Sequence, residues 1–419
     1  MKLRIRLRRR IPLEELLFFV AIFCVTSYAL LEHVSISIPI FSMVKMPILV
    51  IGGFCLMTKV KLLLANILKK RYFYILAVLI LLCAGLLSVA FLNQNVFIGT
   101  NPVRQTVRLV LFLLELFWLM IWVAETGKVS QIINFLFWYM LILVLVTDVF
   151  LFTKVIVFYS GKFENYLVGT KFSVSYLHMD LLTIWFVRNN MRLQQEGKTK
   201  LFVFLATLFV LAVSIRVDCM TGAIGCVALC VLFLLLNTSV GNSLLRFQSP
   251  VFLSLFLLGS VIFPFIAERL LSIPLLERLV TDVFGRDNTL TGRLGIFETF
   301  FDKMTGHWLQ GYGYGNGNTA AEWLFRCANA QNALLQWVLE VGVSITALLV
   351  GLILLVFKQL SKGPEQKQIL PLVALVYVYV ILGTVETTFS MSFILWIALI
   401  FMYVNAKEPE TETEEPEEM

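Results

Sequence analysis

A run of alternating glycines is the feature of this sequence whose spacing best suits anion binding. Residues 307–318 read HWLQGYGYGNGN, with Gly311, Gly313, Gly315 and Gly317 separated by Tyr or Asn. Glycine lets the backbone turn sharply and approach a ligand closely, and successive N–H groups can bind phosphate oxygens. A flexible turn before a helix explains the spacing equally well. The stretch is not a P-loop, because no Gly-Lys-Ser/Thr follows it.

Several ionisable side chains lie within long apolar segments, where a charge is costly and often functional. His178 and Asp180 lie just inside one such segment, and Asp148, Glu115 and Glu386 are further acids of this kind. A structural role in lining a polar crevice explains them as well. The seven cysteines follow no metal-binding spacing, so they predict no metal site.

The composition predicts the class of protein that positions these residues. Of 419 residues, 59% are hydrophobic and 15% charged, with a mean hydropathy of +0.86, whereas soluble domains have about 45–50% apolar and about 25% charged residues. The apolar residues form blocks of roughly 17–23 residues, the length at which a helix crosses a bilayer. This pattern excludes a soluble enzyme, a disordered protein and a secreted disulfide scaffold, and it argues against an outer-membrane barrel. We expect an all-α, polytopic transmembrane bundle.

Twelve apolar segments are candidate transmembrane helices. The weakest are 38–57, which contains Lys45 and two prolines, and the short segment 201–215. The first block follows the basic start MKLRIRLRRR without a small-residue cleavage site, so we expect it to remain as a helix. The segments are 13–31, 38–57, 72–92, 107–125, 132–153, 172–187, 201–215, 222–238, 251–267, 332–357, 368–385 and 389–405.

The distribution of Lys and Arg predicts the orientation. With the N-terminus in the cytoplasm, most basic residues of the short loops also fall on the cytoplasmic side, and both termini lie there. Basic residues at this boundary account for the net charge of +7 without nucleic-acid binding. Residues 1–405 are predicted to form a single transmembrane domain. Residues 406–419, which end in KEPETETEEPEEM, are predicted to be a disordered, acidic cytoplasmic tail.

Residues 268–331 form the only long polar stretch of the sequence, and this orientation places them outside the cytoplasm. They contain too many Leu, Phe and Trp residues for disorder, and such long loops are usually functional. Residues 268–284 have apolar residues at helical spacing and predict a helix at the membrane interface. A second helix is expected after Thr291, a suitable N-cap. Its predicted apolar face comprises Leu294, Phe297, Phe301 and Met304.

An ordered set of motifs follows from this loop into the tenth segment. It comprises Gly292-Arg293-Leu294-Gly295-Ile296-Phe297, the stretch Gly311–Gly317, Gln331-Asn332-Ala333-Leu334-Leu335-Gln336 and Glu340-Val341-Gly342. The set resembles the O-antigen ligase and Wzy-type polysaccharide polymerase family, whose late signature reads roughly Gly-Arg-x-x-Ile-(Trp/Phe), Gly-x-Gly, His-Asn-x-x-Leu-Gln and Glu-x-Gly. Residues 169–179 and 214–225 are similar to that family as well. The specific part is confined to 292–342, and the order is more specific than any single motif.

The resemblance implies an enzyme that acts on undecaprenyl-pyrophosphate-linked glycans at the outer face of the bacterial cytoplasmic membrane. Such an enzyme needs no metal, nucleotide sugar or other cofactor. Its partners are bilayer lipids and, in the same pathway, a flippase and a chain-length regulator. Cations must stabilise the pyrophosphate leaving group, and a further group must orient or deprotonate the acceptor hydroxyl. In general character the chain looks more like the Gram-positive capsule or exopolysaccharide polymerases than the enteric ligases.

Arg293 and Arg216 are the predicted pyrophosphate-binding residues, because a guanidinium is planar, matches phosphate oxygens and stays charged. Arg293 lies in the best-matching motif, although an ion pair with Asp287 or Glu298 is a simpler explanation. Arg216 lies at the outer end of a helix, where a snorkelling boundary residue is equally expected. Lys171 is a third candidate, for which an interfacial anchor is the favoured interpretation.

The proton acceptor is less well defined. The His that opens the ligase His-Asn pair is replaced here by Gln331, which cannot take up a proton, and this departure favours a polymerase. Gln331 and Asn332 are expected to bind sugar hydroxyls or phosphate, with helix capping as the alternative for Asn332. Asp218 is a candidate base, but a pair with Arg216 is favoured. The remaining predicted substrate-binding residues are His307, His178, Gly292, Gly311, Gly313 and Gly315.

Three other functions remain open from the sequence. A flippase for the same lipid-linked sugars suits the helix number, but the two halves show no repeat. A ligase of the same family would transfer finished polymer to a lipid or wall acceptor. A non-catalytic scaffold of a polysaccharide-synthesis complex leaves the arginine motifs unexplained.

Overall fold

The computed structural model describes residues 12–160, 163–193, 197–236, 245–271, 273–274, 293–362 and 367–407. The first half comprises α1 (Leu13–Leu30), α2 (Val34–Ser37), α3 (Phe41–Met57), α4 (Val60–Asn66), α5 (Lys70–Leu92), α6 (Pro102–Glu125) and α7 (Val129–Thr153). A hairpin of β1 (Phe158–Ser160) and β2 (Phe163–Asn165) precedes α8 (Lys171–Leu193), α9 (Gly197–Arg216) and α10 (Met220–Leu236). The remaining helices are α11 (Pro250–Leu271), α12 (Arg293–Lys303), α13 (Gly317–Phe325), α14 (Ala333–Leu360), α15 (Leu370–Leu382) and α16 (Met391–Asn405).

The helices are those of a membrane protein. Within the described residues, five helices are long and apolar enough to cross a bilayer, namely α1, α5, α6, α7 and α14. The pair α3 and α4 adds a sixth if its bend of 70° lies within one span. Shorter apolar helices occur in α9, α10, α11, α15 and α16. Each predicted apolar segment overlaps a helix, and the largest difference in length is at α8, which extends well beyond the predicted 172–187.

Helix α6 lies at the centre of the bundle and packs against α1, α3, α5 and α16. Its side chains at Phe112, Phe117 and Trp122 are fully buried. Trp122 meets Phe18 of α1 edge to face, with ring centroids 5.0 Å apart, a favoured aromatic geometry. Helices α3 and α7 keep large apolar side chains such as Phe54 and Trp138 exposed, as expected of a surface that faces lipid.

The two ends of the bundle differ in chemistry. At one end, which we call the loop end, residues 293–332 pack over the helix termini: Asn93 after α5 donates to the Gln310 carbonyl (3.5 Å), and Ala333 N–H donates to Gly383 (2.8 Å). The opposite, basic end joins α5, α6 and α16 through Glu125. The partners of Glu125 there are Arg71, Tyr72, Lys69 and Lys407.

Over 293–332 the loop between α11 and α14 contains the two helices α12 and α13, and it has a small core of its own. Phe297, Phe300, Met304, Leu335 and Leu339 form part of that core. The predicted face of α12 is partly wrong: Phe300 is fully buried, whereas Phe301 is 43% exposed. Phe301 instead covers Phe265 and Trp308 from outside (centroids 4.9 and 5.1 Å).

The β1–β2 hairpin and the short helices α2, α4 and α13 were not predicted from the sequence. Other sequence predictions lie outside the described residues. These are the interfacial helix beyond residue 274, the Thr291 cap, Gly292 and the tail after Lys407. Lys407 itself is held, since its N–H donates to the Ala124 carbonyl (3.1 Å).

Candidate functional site

The glycine-rich stretch is bonded to a break in α14. Gly342 has a left-handed φ of 76°, which interrupts the helix. The break frees backbone groups on either side. The Leu339 and Glu340 carbonyls accept from the N–H groups of Tyr312 (2.9 Å) and Gly313 (2.7 Å), and Val343 N–H donates to the Trp308 carbonyl (2.8 Å). Only glycine fits at 342, because a Cβ there would collide with the Leu309 carbonyl. The glycine-rich stretch is therefore positioned by α14.

Three of the predicted phosphate-binding glycines have positive φ, with 58° at Gly311, 94° at Gly313 and 87° at Gly315. Gly311 N–H donates to the His307 carbonyl (2.7 Å), and Gly313 N–H donates to the Glu340 carbonyl (2.7 Å). These donors already have partners within the chain. The turn alone accounts for the glycines, and phosphate binding by this stretch stays a prediction.

Arg293 begins α12 and contacts two distant segments. Its Nε donates to Gln331 Oε1 (2.8 Å), and its guanidinium forms an ion pair with the buried carboxylate of Glu386, in the segment between α15 and α16. Of the two acids that the sequence offered as partners, Glu298 forms no ion pair with Arg293 in the described part of the chain, and Asp287 lies outside it. We call Arg293, Gln331 and Glu386 the loop-end triad.

The amide of Gln331 has a fixed orientation. Both its side-chain Nε2 (2.8 Å) and its backbone N–H (2.9 Å) donate to Asn329 Oδ1, which leaves Oε1 to accept from Arg293. Gln331 also has a φ of 53°, an uncommon conformation for a side-chain-bearing residue. Strain of this kind concentrates at functional sites, and this one sits beside the arginine of the best-matching motif.

Asn332, by contrast, is a fully buried helix cap. Its Oδ1 accepts from Leu334 and Leu335 N–H (3.0 Å each). Its Nδ2 donates to the carbonyls of Ser260 (3.0 Å) and Thr384 (3.2 Å). Asn332 therefore has the geometry of a helix cap, which was the alternative to substrate binding. Its side chain also links α11, α14 and the segment after α15 beneath Gln331.

A second group of predicted residues lies at the turn between α9 and α10. Lys171 Nζ is 3.2 Å from Asp218 Oδ2, and Asp218 has a φ of 54°. Arg216 is exposed at the end of α9. Burial raises the pKa of Tyr166 after the hairpin, Glu164 adds to this, and the charge of Arg216 opposes it. Arg216, Asp218 and Lys171 therefore share one corner of the loop end.

Cys219 connects this corner with the loop-end triad. Burial raises the pKa of its thiol; Glu386 adds to that rise, and Lys171 opposes it. The carboxylate of the triad and the ammonium of the α8 corner thus both act on one side chain. The structure brings Arg293, Gln331, Lys171, Asp218 and Arg216 to the same end of the bundle.

The two predicted histidines lie apart from that cluster. His178 is buried in α8, with Nδ1 2.8 Å from the Val174 carbonyl and Nε2 3.1 Å from Asp148 Oδ1 of α7. His307 stacks on the Tyr312 ring (centroids 4.2 Å apart, 17° between planes). Each contact explains its histidine structurally, and a role in substrate binding stays a prediction for both.

Asp180 also has a defined partner, since Tyr379 donates to its Oδ1 (2.6 Å). The most important residue that the sequence did not connect to the site is Glu386. It was recognised as one of several intramembrane acids, but the spacing of 93 residues to Arg293 contains no local signal of their contact.

Comparisons with family models, with curated proteins and with solved structures find no match in any of the three. The resemblance to polysaccharide polymerases and ligases therefore continues to depend on the ordered motifs of 292–342.

Proposed function

We propose that this protein is a polysaccharide polymerase of the bacterial cytoplasmic membrane. It transfers a glycan from undecaprenyl pyrophosphate to a sugar hydroxyl of the next lipid-linked repeat unit. The observation that carries the proposal is the loop-end triad. Arg293 and Gln331, which come from two motifs of the resemblance, are in hydrogen-bond contact, and a buried carboxylate completes the group.

In this proposal Arg293 binds the pyrophosphate. A guanidinium presents five N–H donors in a planar fork, and its bonds to Gln331 and Glu386 orient that fork. Arg216 and Lys171, at the neighbouring corner, provide further positive charge for the same diphosphate. Fixed cations at the leaving group stabilise the charge that develops as the glycosidic bond to phosphate breaks.

Glu386 is the proposed proton acceptor in place of the histidine of ligases. The acceptor hydroxyl oxygen forms a bond to the anomeric carbon of the donor, and the bond from that carbon to the phosphate oxygen breaks. The electron pair leaves with undecaprenyl pyrophosphate, and the hydroxyl proton passes to the Glu386 carboxylate. Gln331 orients the acceptor through its fixed amide.

The reaction requires the loop end to face outward. We therefore propose twelve membrane-crossing segments, with the short apolar helices and the bent α3–α4 pair among them. The basic end, where Arg71, Lys69 and Lys407 surround Glu125, then faces the cytoplasm, in agreement with the positive-inside rule.

The experiment is deletion of the gene followed by gel and mass-spectrometric analysis of lipid-linked glycans. Single repeat units accumulating on undecaprenyl pyrophosphate at the outer face support a polymerase. Long polymer retained on the carrier lipid instead indicates a ligase. Units trapped at the cytoplasmic face indicate a transporter and overturn the arginine mechanism. Complementation with wild type and with Arg293→Ala then links the phenotype to the triad.

A further inference from the structure

A second group of cations lies at the loop end, apart from the triad. It comprises Lys45 on α3 and Arg104 and Arg108 on α6. The charge of Arg108 acts on both Arg104 and Lys45, and its guanidinium donates to the Ser42 carbonyl on α3 (3.2 Å). The three cations therefore occupy one small region between the beginnings of α3 and α6. We call it the α3–α6 cluster.

The cluster has unused hydrogen-bonding capacity in the part of the chain that the structure describes. Arg108 is only 5% exposed, yet its buried Nε has no hydrogen-bond partner there. Neither Arg108 nor Arg104 is within ion-pair distance of a described carboxylate. A buried guanidinium donor without a partner costs free energy, which a bound anion would recover.

Glu32 offsets part of the charge of Lys45, and the nearby acids also have hydrogen-bond partners outside the cluster. Glu32 accepts from Met391 N–H (2.9 Å), and Glu340 accepts from Gln336 (2.7 Å). Glu115 lies two turns deeper than Arg108 on α6, about 10 Å along the axis, against Gly52 and Gly53. The cluster consequently keeps an excess of positive charge.

Two further features point to a negatively charged ligand from the membrane. Arg104 and Arg108 lie in the first two turns of α6, where the helix dipole favours anions, and Asn101 caps that helix by accepting from Arg104 N–H (2.8 Å). Beside Lys45, the side chains of Met43 and Val44 are 71% and 41% exposed. An apolar chain can lie along that surface of α3 while its phosphate reaches the cations.

The α3–α6 cluster and the triad flank one short segment. Glu386 pairs with Arg293, and Met391, five residues later, donates to Glu32, whose carbonyl accepts from Lys45 Nζ (2.6 Å). Five residues span at most about 18 Å. Two lipid-borne phosphates held at these places would stand on either side of this segment.

We propose that Lys45, Arg104 and Arg108 form a second binding site for a lipid-borne phosphate. Its assignment to the second lipid-linked substrate rests on the proposed function, because polymerisation requires two such substrates at once. Affinity for a lipid phosphate does not depend on that function.

The test is native mass spectrometry of the purified full-length protein titrated with undecaprenyl pyrophosphate that carries no sugar. Wild type is expected to retain two copies. Arg104→Gln/Arg108→Gln should retain one, and Arg293→Gln should retain one. Arg246→Gln, an exposed arginine before α11, is the matched control and should retain two. The single variant Arg108→Lys keeps the positive charge and should therefore retain most of the second copy. It shows whether the double variant loses that copy through loss of charge or through misfolding.

The outcomes separate the two proposals. Two copies bound by Arg104→Gln/Arg108→Gln, or a single wild-type copy that Arg293→Gln removes, would overturn the second site. Loss of a copy in the double variant but none in Arg293→Gln would support this site and contradict the triad as the pyrophosphate site. Phosphatidylglycerol is then added as the competitor. If it displaces the second copy as readily as undecaprenyl pyrophosphate does, the ligand is a phospholipid headgroup. If it does not compete, the ligand is the lipid-linked pyrophosphate.

Discussion

The guanidinium of Arg293 and the carboxylate of Glu386 form an ion pair across 93 positions of the chain. The acid is buried and the arginine is partly accessible, so the pair presents one face to the loop end. An arginine held in this way is oriented before a ligand arrives. A diphosphate that binds there replaces its hydrating water with guanidinium N–H donors that are already in position. Such preorganisation is the condition for electrostatic catalysis.

Replacing Arg293 is expected to stop polymer formation. Arg293→Ala removes the donors that face the leaving group, and loss of one such stabilising group typically lowers the rate by about 10²- to 10³-fold. Arg293→Lys keeps the charge but not the planar fork, so it should restore only part of the activity. Polymer length on gels of complemented deletion strains measures both.

The matched control for this prediction is Arg326→Gln, an exposed arginine of the same loop, which should leave polymer length unchanged. Membrane insertion is checked by detecting tagged protein in the membrane fraction. Polymer of normal length in inserted Arg293→Ala would contradict the proposed role.

Glu386→Gln should abolish turnover while leaving undecaprenyl pyrophosphate binding largely intact. The amide keeps the size of the side chain and can still contact Arg293, but it cannot take up the proton of the acceptor hydroxyl. Turnover rates and undecaprenyl pyrophosphate binding of the purified variant, each measured against wild type, check this prediction. A Glu386→Gln variant with wild-type rates would show that the acid serves only to position Arg293.

Gln331→His is expected to be tolerated. Histidine is among the residues that adopt positive φ more readily than most, and its ring can accept from Arg293 in place of the amide oxygen. Gln331→Leu keeps a similar volume without an acceptor and should reduce activity strongly. Equal activity of the two variants would mean that the bond to Arg293 has no role in the reaction.

Gly342→Ala should destabilise the protein by at least about 1–2 kcal/mol. A φ of 76° with a ψ of 171° is a conformation that essentially only glycine adopts, and such strain costs about 1–3 kcal/mol. The new Cβ would also meet the Leu309 carbonyl. Gly351→Ala is the control in the same helix, because it has no neighbour within 4 Å and helical Ala is favoured over Gly by roughly 0.5–1 kcal/mol.

Thermal unfolding of both glycine variants in detergent measures the difference. We expect a lower midpoint for Gly342→Ala and an unchanged or higher one for Gly351→Ala. Equal midpoints would contradict the role of the break in α14 in binding the glycine-rich stretch.

The sequence by itself determined that this is a helical membrane protein and where its apolar helices lie. Hydrophobic blocks are local, and a bilayer permits few ways of satisfying the backbone within them. Helix α12 was also predicted, but its buried face was not fully correct, because Phe300 and Phe301 are equally apolar and only the surrounding packing decides which of them is covered.

Tertiary structure alone decided the contacts that make the site. Arg293, Gln331 and Glu386 come from segments whose separation in sequence predicts nothing about their meeting, and the same is true of Arg108 and Lys45. The break at Gly342 was hidden as well, because the motif Glu340-Val341-Gly342 continues an apolar helical pattern. Its left-handed glycine is required by the carbonyl of Leu309, a partner that reaches it only through the fold of the loop.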